Sequence, residues 1–103
     1  MIFVETPTFT RLIVELLDDD EYSKLQTELS NRPDAGDLIK NGGGIRKLRW
    51  KRAGTGKSGG IRVIYYWLTE DSQIFMLVAY PKSVKDNLTD KETAILRNLV
   101  KEL

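Results

Sequence analysis

The sequence predicts an α+β fold: a small antiparallel sheet packed against two N-terminal helices, with a third helix at the C-terminus. Three observations carry this expectation. Apolar residues recur at helical spacing early in the chain, from Phe9 to Leu29, and again at its end, from Ile95 to Leu103. Between them lie two runs dense in β-branched and aromatic residues, Ile61–Leu68 and Ile74–Tyr80. Turn-forming residues separate these runs, so neighbouring strands can pair directly as hairpins. A chain of 103 residues, 41% apolar and 30% charged, is ordinary for a globular protein and reads as a single domain, residues 1–103.

Taken in order, Ile2-Phe3-Val4 is a short opening strand. Thr6-Pro7 starts a helix, with Thr6 as cap and Pro7 at the first helical position. Phe9, Leu12, Ile13, Leu16 and Leu17 form its apolar stripe. The acidic run Asp18-Asp19-Asp20-Glu21 suits the N-terminus of a second helix, because the helix dipole is positive there. Tyr22, Leu25 and Leu29 mark the buried face of that helix, and Asn31-Arg32-Pro33 ends it. Gly36 and Gly42-Gly43-Gly44 punctuate a loop. Ile45–Trp50 is a strand in which basic and apolar residues alternate. Residues 53–60 are a glycine-rich connection. Ile61–Leu68 reads as a strand buried on both faces. After the turn Glu70-Asp71-Ser72 comes a second buried strand, stopped by Pro81. Thr89 and Glu92 have capping-box spacing ahead of the last helix.

Charge is distributed very unevenly. Residues 1–37 hold three basic and nine acidic residues. Between Asp37 and Glu70 there is no acidic residue, but there are eight basic ones: Lys40, Arg46, Lys47, Arg49, Lys51, Arg52, Lys57 and Arg62. The net charge of +1 conceals this polarity. A one-signed segment on a folded domain attracts polyanions, and nucleic acid is the commonest large one. The plainer reading of such a run is a solvated surface loop.

Several chemistries are excluded or disfavoured. The chain has no cysteine and no histidine, so thiolate chemistry, a serine–histidine triad and a zinc or iron centre are not expected. No acidic pair is near the basic segment in sequence, which disfavours two-metal nuclease chemistry, and no metal or other cofactor is expected. Gly54-x-Gly56-x-x-Gly59 matches a dinucleotide-binding pattern in letters, but a strand follows it where a helix should. Gly56-Lys57-Ser58 lacks the first glycine of a phosphate-binding loop, because that position is Lys51. Apolar stretches are too short to span a membrane, and Glu5 stands where a signal peptide would be basic. A cytoplasmic location without membrane association is the expectation.

A reaction limited by negative charge fits the remaining residues. Attack by the 2′-OH of RNA on its own neighbouring phosphate brings its nucleophile with the substrate. The protein must align the backbone, offset charge at phosphorus and move protons. Arginine clamps phosphate oxygens with a planar fork, and lysine adds compact charge. Tyrosine can stack on a base or handle a proton. Arg62 opens the central strand, and Tyr80 and Lys82 close the next one. Arg62 lies ten residues before Ser72 and Lys82 ten after it, which predicts that the two are cross-strand neighbours. Lys57 hangs from the loop before Arg62.

Three segments carry a resemblance to a known family: Gly43-Gly-Ile-Arg-Lys-Leu-Arg-Trp, Gly56-Lys-Ser-Gly-Gly-Ile-Arg-Val-Ile-Tyr-Tyr-Trp and Leu77-Val-Ala-Tyr-Pro-Lys. Together with the order of elements they resemble the RelE/HigB toxins of bacterial toxin–antitoxin pairs, and the HigB-like branch most. The resemblance implies a RelE-like fold and a ribosome-dependent mRNA endonuclease (an mRNA interferase) that cuts translated messages in the ribosomal A site. It also implies a cognate antitoxin, in this branch a HigA-like helix-turn-helix protein, with the ribosome and mRNA as further partners. Carried over by position, Arg62 matches the arginine that contacts the scissile phosphate. Tyr80 and Lys82 match active-site positions, and Lys57 matches the loop lysine of the branch. Arg46, Lys47 and Arg49 cover the family's basic strand, and Lys51 and Arg52 extend this RNA- and ribosome-binding surface. The chain departs from some members at Ser83, where they have arginine, and near Thr89, where they have tyrosine. Two other readings stand beside this one: a ParE-like inhibitor of DNA gyrase on the same fold, and a non-catalytic nucleic-acid-binding regulator.

Overall fold

A computed structural model of the chain describes residues 1–52 and 59–103. The elements run β1 (Ile2–Glu5), α1 (Pro7–Leu16), α2 (Asp19–Asn31), β2 (Asp37–Leu38), β3 (Ile45–Trp50), β4 (Ile61–Leu68), β5 (Gln73–Pro81) and α3 (Asp90–Val100). The expected class is the one observed, and the helix caps form as their residues dictate. The Thr6 hydroxyl accepts from the Phe9 N–H at 3.0 Å, and Pro7 occupies the first turn of α1. The Asp18 carboxylate accepts from the Glu21 N–H at 2.8 Å. Thr89 and Glu92 form the full capping box of α3. Each cap satisfies a backbone N–H that the helix itself cannot.

The five strands form one sheet in the order β1-β5-β4-β3-β2. Strands β2 to β5 pair antiparallel, whereas β1 lies parallel to β5 at the edge, so the sheet is mixed rather than wholly antiparallel. Local sequence cannot place β1, because its partner lies some seventy positions further on, at Gln73–Met76. Strand β2 is only two residues long, too short to show a period, and falls within the stretch read as loop.

Helices cover both faces. On one side α1 and α2 deliver Phe9, Ile13, Leu25 and Leu29 against Val63, Tyr65, Ile74 and Met76, all buried. On the other, Val100 and Leu96 of α3 pack with Ile45, Ile64 and Leu77. A sheet covered twice needs a central strand buried on both faces, and Ile61–Tyr65 of β4 is buried residue after residue, with Arg62 its one charged member. Among the described residues no helix is long and apolar enough to cross a membrane.

The pairing of β4 with β5 contains one bulge. Ile64 opposes Val78 and Tyr65 opposes Met76, which leaves Leu77 as the extra residue. The side-chain alternation of β5 slips there. Ile74 and Met76 face α1 and α2, but beyond the bulge Val78 and Tyr80 face α3. Without the extra residue, Tyr80 would point to the α1/α2 side.

Candidate active site

In an antiparallel pair, residues directly opposite each other share a face. Arg49 of β3 opposes Arg62 of β4, and Arg62 opposes Tyr80 of β5. The three form a row across the sheet on the α3 face. Lys47 stands on that face two residues before Arg49 and opposes Ile64. Arg46, by strict alternation, belongs to the other face with Leu48 and Trp50. Its guanidinium donates to the carbonyls of Gly36 at 2.8 Å and Asp34 at 3.3 Å, which ties down the loop after α2.

The predicted neighbour of Arg62 was Lys82, and the register places Tyr80 there instead. Two features move the pairing. The hairpin turns earlier than Ser72, through a 3₁₀ turn at Thr69–Asp71 with Ser72 left-handed (φ 51°), which alone would set Ala79 opposite Arg62, and the bulge at Leu77 moves the partner one residue on, to Tyr80. Lys82 sits just past the strand with its backbone N–H on the Gly60 carbonyl at 2.9 Å and its side chain exposed. Lys51 is exposed, and Arg52 donates from Nε to the Gly59 carbonyl. Lys57 lies outside the described residues.

Two acidic residues reach this basic row, although none is close in sequence. Asp37 on β2 takes Arg49 at 3.1 Å, a pair exposed on both sides and worth little in water. Asp86, in the segment between β5 and α3, takes Arg62 with its Oδ1, which accepts from Nε at 2.7 Å and lies 2.7 Å from Nη2 as an ion pair. The Arg62 side chain is 7% exposed and that of Asp86 is 51%. The neighbouring residues of this segment bind the row too. The Asn87 Oδ1 accepts from Lys47 Nζ at 2.5 Å, and the Asp86 carbonyl accepts from Lys47 at 3.4 Å and from the Tyr80 hydroxyl at 3.5 Å. Residues 82–88 therefore act as a strap laid over the row. Lys85 anchors the strap through an ion pair with Glu92 and sits 5.0 Å from the centre of the Tyr80 ring.

The electrostatics follow from this packing. Burial pushes the Tyr80 phenol up from its ordinary value, and the carboxylates of Asp86 and Glu92 add to the rise while Arg62 opposes it. Tyr80 is thus a neutral hydrogen-bond donor near pH 7. The hydrogen bond from Arg62 holds the Asp86 carboxyl below its usual range, helped by the charges of Lys47 and Arg49. Beside the row is a polar cavity of about 380 Å³, lined by Asp37, Lys40, Lys47, Arg49, Asn87 and Thr93 among others.

Sequence reasoning brought Arg62, Tyr80, Lys47 and Arg49 into view and missed Asp86 and Asn87. The one signal available was their place in a short polar stretch between Pro81 and the Thr89 cap, a connection that must cross the strand ends.

A sheet of this order, wrapped by helices on both faces and bearing a cationic row at the ends of its central strands, defines a compact α+β domain. The family model described as "RelE toxin of RelE / RelB toxin-antitoxin system" matches residues 4–103, and the chain belongs to this family. It is a toxin of a toxin–antitoxin system, and an antitoxin partner goes with that membership.

Proposed function

We propose that this toxin is a metal-independent, ribosome-dependent mRNA endonuclease of the HigB-like branch, cutting translated mRNA in the ribosomal A site and so arresting translation in the cytoplasm. The observation that carries the reading is the single row of Arg49, Arg62 and Tyr80, flanked by Lys47, on one face of the sheet. In this reaction the substrate's 2′-oxygen bonds to the adjacent phosphorus and the bond from phosphorus to the 5′-oxygen breaks. The products are a 2′,3′-cyclic phosphate and a 5′-hydroxyl. One proton leaves the 2′-OH and one reaches the 5′-oxygen. Arg62 stabilises the charge that builds on the non-bridging oxygens of the five-coordinate phosphorus. Tyr80, protonated and beside Arg62, donates a hydrogen bond that orients the nucleotide. Lys47 and Arg49 hold neighbouring phosphates, and Lys51 and Arg52 extend the cationic track. Lys82, exposed at the end of β5, supplies further charge, and the resemblance alone assigns Lys57 to the same task. The natural neutralising partner is a HigA-like helix-turn-helix antitoxin.

Expression of the toxin alone, with pulse labelling of new protein and new DNA, tests this reading. Translation should stop first, and Arg62→Ala should abolish the arrest while its circular dichroism stays native. DNA synthesis stopping first would replace this reading with a gyrase-directed one. Harmless expression of the folded wild type would leave only a binding role.

A further inference from the structure

We propose that Asp86 is a built-in counterion latch: its carboxylate occupies the Arg62 fork as a stand-in for phosphate and must be displaced before the cationic row takes RNA. The proposal rests on the nuclease reading above for the identity of the displacing anion, a phosphodiester.

Three observations carry it. First, the pair is lopsided in burial, with Arg62 7% exposed and Asp86 51%. The base is fixed in the sheet, whereas the acid stands at the surface and can swing out into water. Second, the hydrogen bond from Nε and the ion-pair contact from Nη2 converge on one carboxylate oxygen, Oδ1. A fork-to-fork pair would use both oxygens, and a phosphodiester offers two non-bridging oxygens to the same guanidinium, so phosphate can better the contact it replaces. Third, the same strap also caps Lys47 through Asn87 and touches the Tyr80 hydroxyl through the Asp86 carbonyl. Swinging the strap away therefore exposes three groups of the row together. The third guanidinium nitrogen, Nη1, donates to the Ile61 carbonyl at 3.3 Å, so while Asp86 is in place each nitrogen of Arg62 has a partner. The latch also relieves the closed state of a liability, because Arg49 and Arg62 are like charges directly opposite each other on the sheet.

The test is equilibrium binding of a short, fluorescently labelled single-stranded RNA to the full chain over a series of KCl concentrations. Wild type, Asp86→Asn, Asp86→Ala and Asp71→Asn are compared. Asp71 lies in the turn at the far end of the hairpin, so Asp71→Asn makes the same change in net charge away from the row. With the latch removed, Arg62 gains one phosphate contact. The slope of log K against log salt should then steepen by about 0.7 in both Asp86 variants. Their affinity should rise roughly threefold to tenfold, the worth of one screened charge-assisted contact. Asp71→Asn should leave the slope at its wild-type value. If Asp86→Ala does not fold, Asp86→Asn decides, because it keeps the size of the side chain and removes the negative charge that competes with phosphate. No gain in affinity and no steeper slope in either Asp86 variant, including no measurable binding by any of the proteins, would overturn the latch. So would the same gain in Asp71→Asn, which would assign the effect to net charge. The same preparations are added to ribosomes translating an mRNA. Cutting by wild type with no gain from Asp86→Asn removes the latch and leaves the nuclease. A steeper slope with no cutting keeps the latch as an anion site and removes the nuclease.

Discussion

At the scale of single residues, two side chains show how the same chemistry serves structure or function according to where the fold puts it. Tyr65, fully buried, donates to the Pro33 carbonyl at 2.6 Å and accepts from the Gly36 N–H at 2.8 Å. Gly36 approaches so closely that a Cβ there would lie 2.8 Å from the Tyr65 ring. Tyr65→Phe should therefore cost about 1–3 kcal/mol in denaturant unfolding, because it strands a buried N–H and a half-buried carbonyl. A loss below ~0.5 kcal/mol would mean that water reaches those groups. Asp86 sets a pH dependence whose sign is fixed by its partner. Its folded carboxyl sits below the ordinary value of 3.8 because Arg62 bonds it, with Lys47 and Arg49 adding to the effect. The unfolded chain takes up the proton first, so the contribution of the pair is present above that ordinary value and fades as pH falls through the folded one. Glu92, held down by Lys85, has the same sign. The difference between wild type and Asp86→Asn in unfolding free energy should hence shrink as pH is lowered through 4 and below, and a difference independent of pH would contradict the pairing.

At the scale of elements, the bulge at Leu77 connects topology to chemistry. It turns Tyr80 to the Arg62 face, and its neighbours are held from the side by Thr6. The Thr6 N–H donates to the Met76 carbonyl at 3.0 Å, and the Thr6 hydroxyl donates to the Leu77 carbonyl at 2.7 Å while capping α1. Thr6→Val should remove the cap and the Leu77 bond together and cost about 1–2 kcal/mol. Part of that loss should appear as faster hydrogen exchange at Thr6 and at the first turn of α1; unchanged exchange there would deny the role of Thr6. These elements also show what was legible beforehand. Helix boundaries follow from Thr6-Pro7, Asp18, Asn31-Arg32-Pro33 and Thr89, because caps and breakers act within a few residues. The strands β3, β4 and β5 follow from their composition. The register does not, since the earlier turn and the one-residue bulge at Leu77 together set Tyr80 rather than Lys82 opposite Arg62. The parallel placement of β1 and the arrival of Asp86 at Arg62 depend on long-range contacts that no local pattern records.

At the scale of the whole molecule, the polarity of the sequence becomes a polarity of surfaces. The basic stretch folds into β3 and β4, and the site row crosses their ends on the α3 face. The acidic N-terminal stretch forms α1 and α2 on the opposite face. Central position also makes the site rigid, because Arg62 belongs to the most buried strand of the sheet. Arg62→Ala should consequently leave the fold intact and lower cutting on the order of a hundredfold or more, the usual cost of one preorganised donor to a developing oxyanion. The measurement that tests this most directly adds purified wild type and Arg62→Ala to an in vitro translation reaction and maps RNA ends by primer extension, with the same mRNA run in parallel without ribosomes. The expected result is cuts within the translated frame, present only with ribosomes and lost in Arg62→Ala. Intact mRNA with folded wild-type protein, or equal cutting by the variant, would contradict it.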